Sequence, residues 1–158
     1  MTAEQLWQYY LATLPVGHGH HSASYSAWAF GDRPALADEL ALLVMQGIKT
    51  GTASLMWEYE VTGDPSPQIG EISVILDGRE QAVCIIETTS LVIKPFQEVD
   101  AEHAYSEGEG DRSLADWRDG HWRFFERVCT QIQQIPTQTM PILCERFRLL
   151  YSLSSLSS

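Results

Sequence analysis

The stretch "EISVILDGREQAVCIIETTSLVI", residues 71–93, constrains the fold more than any other part of the chain. Two runs rich in Val and Ile flank Asp77-Gly78, a dipeptide that favours the positive backbone angles of a tight hairpin turn. An antiparallel pair is therefore expected over these residues. An isolated hairpin is marginal in water, so further strands and helices must cover it. The C-terminal "ILCERFRLLY" reads as a last strand. Residues 50–61 alternate, with Ala53, Leu55, Trp57, Tyr59 and Val61 on one side and Thr50, Thr52, Ser54, Met56, Glu58 and Glu60 on the other. That is the period of a strand with one buried face.

Helices separate these runs. Residues 3–14 have an amphipathic pattern. "GDRPALADELALLVMQG" places Pro34 in a first turn and Gly47 just past a last one, with Leu36, Leu40, Leu43 and Val44 as the apolar stripe. Ser113 and Asp116 resemble a capping box ahead of a helix over 114–132, whose stripe is Leu114, Trp117, His121, Phe124, Val128 and Ile132. Asp119 and Arg123 are spaced to pair outside it. Residues 94–113 read as a loop with one helical turn around 100–106. Strands and helices mix without regular βαβ alternation, which predicts an α+β fold with a mostly antiparallel, barrel-like sheet.

A chain of 158 residues is long enough for one buried core. The net charge of −11 argues against binding a long duplex through its phosphates. It favours a small ligand or a few nucleotides in a local basic pocket. No apolar run approaches the roughly 18 residues of a membrane helix, and no Lys or Arg precedes Arg33 to form a signal-peptide n-region. Cys84, Cys129 and Cys144 are odd in number and far apart, which points to a reduced, cytoplasmic setting rather than to zinc or a disulfide framework.

Lys49 is one of two lysines in the chain. Near a helix C-terminus it gains from the helix dipole. It can also supply a point charge to a phosphate or oxyanion, with Thr52 and Ser54 lining the same cleft. The segment "EGEGD" sets Glu107, Glu109 and Asp111 between glycines, either as a solvated loop or with one carboxylate turned toward Lys49 as a general base. The crowding of carboxylates around such a base is expected to push it toward neutrality. An EF-hand spacing is absent. His18, His20 and His21 fit a polar mobile loop better than a metal site, since no Cys, Asp or Glu stands close in sequence. His121 is expected as a satisfied core histidine, and His103 is a weak candidate. Trp57, Trp117 and Trp122 suit either core packing or base stacking. No cofactor or metal is implied.

In combination "WAFGD", "ADELALLVMQGIKTGTASLMWEYE", "CIIETT", "AYSEGEGDRSLADWRDGHWRFF" and "PILCERFRLLY" resemble the ASCH-domain proteins of the longer bacterial type. The resemblance runs from about Ala27 to Tyr151. It implies a PUA-like fold, a small β-barrel flanked by helices, preceded by a helix and loop over 1–26 and followed by a frayed tail over 152–158. The family is linked to RNA and modified nucleosides. Its G-x-K-x-x-T signature falls on Gly47, Lys49 and Thr52. Small members hydrolyse N4-acetylcytidine with the lysine, the threonine and a glutamate that corresponds here to Glu107, and members like this longer type have been described as ribonucleases. Lys49, Thr52 and Glu107 are thus the expected catalytic residues. Gly47, Thr50, Ser54, Trp57, Arg112 and Ser113 are the expected substrate contacts. Ser54 stands where the small members carry arginine. A non-catalytic RNA- or nucleotide-binding module is the alternative.

Overall fold

The computed structural model describes residues 1–156. The strands are β1 (Ser26–Ala29), β2 (Gly51–Leu55), β3 (Ile72–Leu76), β4 (Ala82–Pro95) and β5 (Pro141–Ser152). The helices are α1 (Ala3–Ala12), α2 (Pro34–Met45), α3 (Met56–Thr62), α4 (Ala101–Glu107) and α5 (Leu114–Gln131). The hydrogen-bonded strand order is β1-β3-β4-β5-β2. The sheet is mixed: β3–β4 and β2–β5 are antiparallel and β1–β3 is parallel. The architecture is α+β, as expected. Among the described residues, no helix is long and apolar enough to cross a membrane.

Contacts divide the chain into two compact units. The first holds Met1–Ile48, Gly70–Thr88 and the chain from Phe147 on. Here the hairpin at Asp77-Gly78 forms, with Ile72 facing Glu87 and Ile75 facing Cys84 in register. Gln5 returns the Thr2 cap in a capping box, so α1 starts where two backbone donors find acceptors. Leu6, Trp7 and Tyr10 then fall on one face and pack with Ile72, Val74 and Ile85. α2 begins at Pro34 and is followed by Gly47 at φ 77°. Its buried face is Ala37, Leu40, Ala41 and Val44, packed with Phe30, Ile75, Cys84 and Phe147. Leu36 and Leu43 are half-buried and pack at the edge of that stripe.

The histidine segment is not an unstructured loop. Gly19–Ser22 form a 3-10 turn, and Tyr10 OH meets His20 Nδ1 at 2.7 Å. Glu87 supplies the carboxylate missing from the local sequence, 3.6 Å from His20 Nε2 and 2.7 Å from Arg148 Nε. β1 has no counterpart in the sequence reading. Four residues are too few for alternation to register, and only pairing with β3 makes them a strand. The expected frayed tail starts too early: Ser152 is buried at the end of β5, and Leu153–Leu156 form a 3-10 turn. Ser157 and Ser158, the rest of that tail, lie outside the described residues.

The second unit holds Lys49–Ile69 and Thr89–Arg146. Its core joins Leu55 of β2, Phe96, Val99, Ala104 of α4, Trp117, Phe125 and Val128 of α5, and Ile142 and Cys144 of β5. The strand expected over 50–61 ends at Leu55, and Met56–Thr62 are helical. Gly63, at φ 77°, donates to Tyr59 O and closes that helix as only a residue at ease in the left-handed region can. Trp57 still leans on the core, but Val61 is exposed, so the apparent alternation was accidental beyond Leu55.

Candidate functional site

The side chains that converge in the second unit come from three places: the chain entering β2, α4 with the loop that follows it, and the first two turns of α5. Asp100 caps α4 by accepting from His103 N at 2.9 Å, and Ser113 caps α5 by accepting from Asp116 N at 3.1 Å. Thr50 N donates to Ser106 O at 2.7 Å, fastening the start of β2 to α4. Gly51 is required at that junction, since a Cβ there would collide with Ser106 Oγ and crowd Glu145 O. This docking carries Lys49 to the end of α4.

Lys49 and Glu107 are each 1% exposed. Lys49 Nζ lies 3.4 Å from Glu107 Oε1 and 3.1 Å from Glu109 Oε2. His121 Nε2 lies 3.1 Å from Glu107 Oε1, while Glu107 Oε2 receives Trp117 Nε1 at 2.6 Å and His103 Nε2 at 2.8 Å. Each oxygen of the carboxylate thus takes two donors. His103 and Glu107 are four apart on α4, and Trp117 and His121 four apart on α5, so each helix offers its pair on one face. The His121 ring stacks on Trp117 at 4.2 Å between centroids and 12° between planes.

The protonation states follow from these partners. His121 Nδ1 faces Trp117 O at 3.0 Å and Nε2 faces the Glu107 carboxylate. Both partners only accept, so both ring nitrogens must donate, and His121 is an imidazolium. Burial alone would lower its pKa, but the charge and hydrogen bond of Glu107, with Glu109 beyond, raise it. Glu107 moves the other way. Burial would raise it, yet the His121 and Lys49 charges and the hydrogen bonds from both histidines hold it well below the usual carboxylate range. The expectation of a near-neutral Glu107 is therefore overturned. The sequence shows a row of acids around it, whereas the fold surrounds it with cations and N–H donors.

The remaining predicted positions are spread differently. Thr52 stands opposite Glu145 in the β2–β5 register, and its side chain makes no hydrogen bond with another described residue. Strand alternation turns it to the side opposite Gly51, Ala53 and Leu55, of which Ala53 and Leu55 pack against the core that holds Trp117. Ser54 shares that side and accepts from Tyr59 OH at 3.0 Å. Thr50 is exposed and its hydroxyl donates to Ser106 O. Trp57 is half-buried on the core. Arg112 Nε donates to Tyr105 O at 3.0 Å, and its guanidinium lies 3.5 Å above the Tyr105 ring. Ser113 caps α5, and Gly47 ends α2 in the first unit. The structure thus brings Lys49 and Glu107 together and leaves Thr52 outside their hydrogen-bond network. It adds His103, His121, Trp117 and Glu109. The legible signal for these was the His-x-x-x-Glu and Trp-x-x-x-His spacing, which sets each pair on one helical face.

Glu107, Glu109 and His121 can each offer an atom within 4.8 Å of the others, the spacing of a metal site. The Lys49 ammonium is hydrogen-bonded to both carboxylates and meets their charge itself.

An α+β domain with this mixed five-stranded sheet flanked by helices is of the PUA-like class. The chain belongs to the ASCH domain family, whose model matches residues 26–151. Among solved structures it is similar to an ASCH domain from Lactobacillus crispatus JV V101, with 29% identity, a TM-score of 0.88 and 94% of each chain covered. It is also similar to a protein from Enterococcus faecalis V583, with 28% identity, a TM-score of 0.83, and 99% of this chain and 93% of that one covered. No curated protein matches the sequence.

Proposed function

We propose that the protein acts hydrolytically on RNA or a modified nucleoside, and that phosphodiester cleavage is the chemistry its site supports best. One observation carries this reading: the Lys49 ammonium and the His121 imidazolium meet at the same oxygen of a buried carboxylate, Glu107 Oε1, at 3.4 and 3.1 Å. A lysine and a protonated histidine side by side suit phosphoryl chemistry. As water or a 2′-hydroxyl attacks phosphorus and its proton passes to solvent, Lys49 offsets the negative charge gathering on the phosphoryl oxygens. His121, whose two N–H groups are held by Trp117 O and Glu107, adds a second positive charge beside the phosphoryl group, and the leaving oxygen takes its proton from solvent as the P–O bond breaks. Glu107 holds both cations in place. The exposed rim supports the same assignment of roles, since His121 and Glu109 are 14% and 31% exposed while Lys49 lies beneath them.

Amide hydrolysis by a Thr52–Glu107 pair has less support. The Glu107 oxygens are fully engaged and Thr52 is not hydrogen-bonded to them. A screen of short RNAs and of plain and acetylated nucleosides tests the reading, with mass spectrometry of the products. RNA should be cleaved by the wild type and lose about 100-fold or more in rate in Lys49→Ala and in His121→Asn. Thr52→Val separates the two chemistries: loss of acetyl release in that variant would assign the threonine route. Binding of RNA without turnover by the wild type would instead identify the non-catalytic module.

A further inference from the structure

The two carboxylates on Lys49 are held very differently. Glu107 is buried and takes four donors. Glu109 is 31% exposed, and among the described residues its carboxylate has Lys49 as its hydrogen-bond partner, at 3.1 Å. Glu109 also lies between two glycines in the left-handed region, Gly108 at φ 72° and Gly110 at φ 59°. Gly110 has a second reason to lack a side chain, since a Cβ there would run into the Asp116 carboxylate. Beyond it, the loop is tied down. Arg112 N donates to Glu109 O at 3.1 Å, Arg112 is fixed to Tyr105, and Asp111 accepts from Ser113 N at 2.8 Å. A singly held, part-exposed carboxylate thus sits on a glycine-flanked pivot between a capped helix end and a pinned loop.

We infer that Glu109 is an internal stand-in for the ligand's own anion: it occupies the face of Lys49 that a phosphate group takes, and it swings out about Gly108 and Gly110 when that group arrives. The inference rests on the proposed function and narrows it to a phosphate-bearing substrate over a neutral nucleoside. Charge conservation is the reason. With Glu109 in place, Lys49 and His121 face Glu107 and Glu109, two positive groups against two negative. A phosphodiester group, with its single negative charge, restores that balance when it displaces Glu109, whereas a neutral ligand in its place leaves a buried ammonium with half its counter-charge. The exchange also explains how a lysine only 1% exposed can serve a ligand.

Calorimetric titration of the whole chain with cytidine 3′-monophosphate, inorganic phosphate and cytidine tests this without requiring turnover. Removing the competing charge in Glu109→Gln should tighten cytidine 3′-monophosphate and phosphate by about tenfold, the scale of one part-exposed charged contact. Cytidine affinity should change by less than about threefold. Adding Lys49→Met to Glu109→Gln should erase the gain, which places it on the lysine. Glu109→Ala should repeat the gain and guards against a peculiarity of glutamine. Unchanged or weaker phosphate binding in a folded Glu109→Gln protein overturns the inference, as does a gain that survives Lys49→Met. Absence of phosphate and nucleotide binding by both wild type and Glu109→Gln overturns it as well. RNA cleavage by the wild type together with an unmoved phosphate affinity leaves the hydrolase reading standing and this one refuted. A phosphate gain without any cleavage does the reverse.

Discussion

Replacing Glu107 by Gln keeps the shape of the side chain and removes its charge, and the consequence can be worked out donor by donor. One oxygen now serves Lys49 and His121, the other Trp117 and His103. Glutamine has one oxygen and one NH2. If the oxygen faces Lys49 and His121, the NH2 confronts Trp117 Nε1, a group that can only donate. If the amide flips, the NH2 confronts the Lys49 ammonium. Neither orientation satisfies all the obligatory donors. Lys49 and Glu107 are both 1% exposed, so solvent screening gives little relief. Removing one partner of such a pair costs about 3–5 kcal/mol. For a domain of this size that is a fall in Tm of roughly 6–20 °C. Calorimetry at pH 6 and a urea titration with unchanged slope would measure it. The loss must also fade in acid. Glu107 is depressed in the folded protein, so its stabilisation is present above the unfolded value of 4.5 and disappears as pH falls through the folded one. A penalty below about 1 kcal/mol at pH 6, or one that persists undiminished where the wild-type carboxylate is protonated, would refute the view that this carboxylate organises the site.

Three more outcomes follow from other features. His121 has a raised pKa, so its stabilisation is complete below the unfolded value of 6.5 and is lost as pH climbs through the folded one; denaturation midpoints of wild type and His121→Asn should converge as pH rises through that folded value. Gly110→Ala should destabilise by about 1–3 kcal/mol in urea, since alanine meets both a left-handed backbone and the Asp116 carboxylate, whereas Gly120→Ala, with nothing near its Cβ, should not destabilise. Burial pushes the Cys84 and Cys144 thiols up to about 12 and raises that of Cys129, so a thiol reagent should find all three cysteines unreactive until denaturant is added; reaction in the native protein would contradict that burial.

The hairpin, α2 and α5 were legible because each repeats a local signal several times. Asp77-Gly78 lies between two β-branched runs, Pro34 and Gly47 bracket one apolar period, and Ser113 caps another. β1 and α3 were hidden for complementary reasons. β1 is too short to show a period and exists through its parallel partner β3. α3 continues the odd-position hydrophobics of β2 for three more residues, Trp57, Tyr59 and Val61, and its helical state shows itself at the Gly63 cap and the exposed Val61. In the site, Lys49 and Glu107 could be suspected from their motif and acidic loop. The character of Glu107 was misread, because neighbours in sequence are not neighbours in space. Acids crowd it along the chain, whereas the donors that touch the folded carboxylate include Lys49, His121 and Trp117, 58, 14 and 10 residues away.

What the sequence determined by itself is whatever depends on short-range geometry. Helix ends, the hairpin, and the pairing of His103 with Glu107 and of Trp117 with His121 on their own helices all lie within one or two turns of chain. Tertiary structure decided the electrostatics. Whether a carboxylate is a base or a permanent anion depends on which donors surround it after burial, and the interaction falls with distance in space irrespective of separation along the chain. Docking the start of β2 against Ser106 and α5 beside α4 made Glu107 the anion that gathers Lys49 and His121, and left Glu109 with a single hold on the lysine.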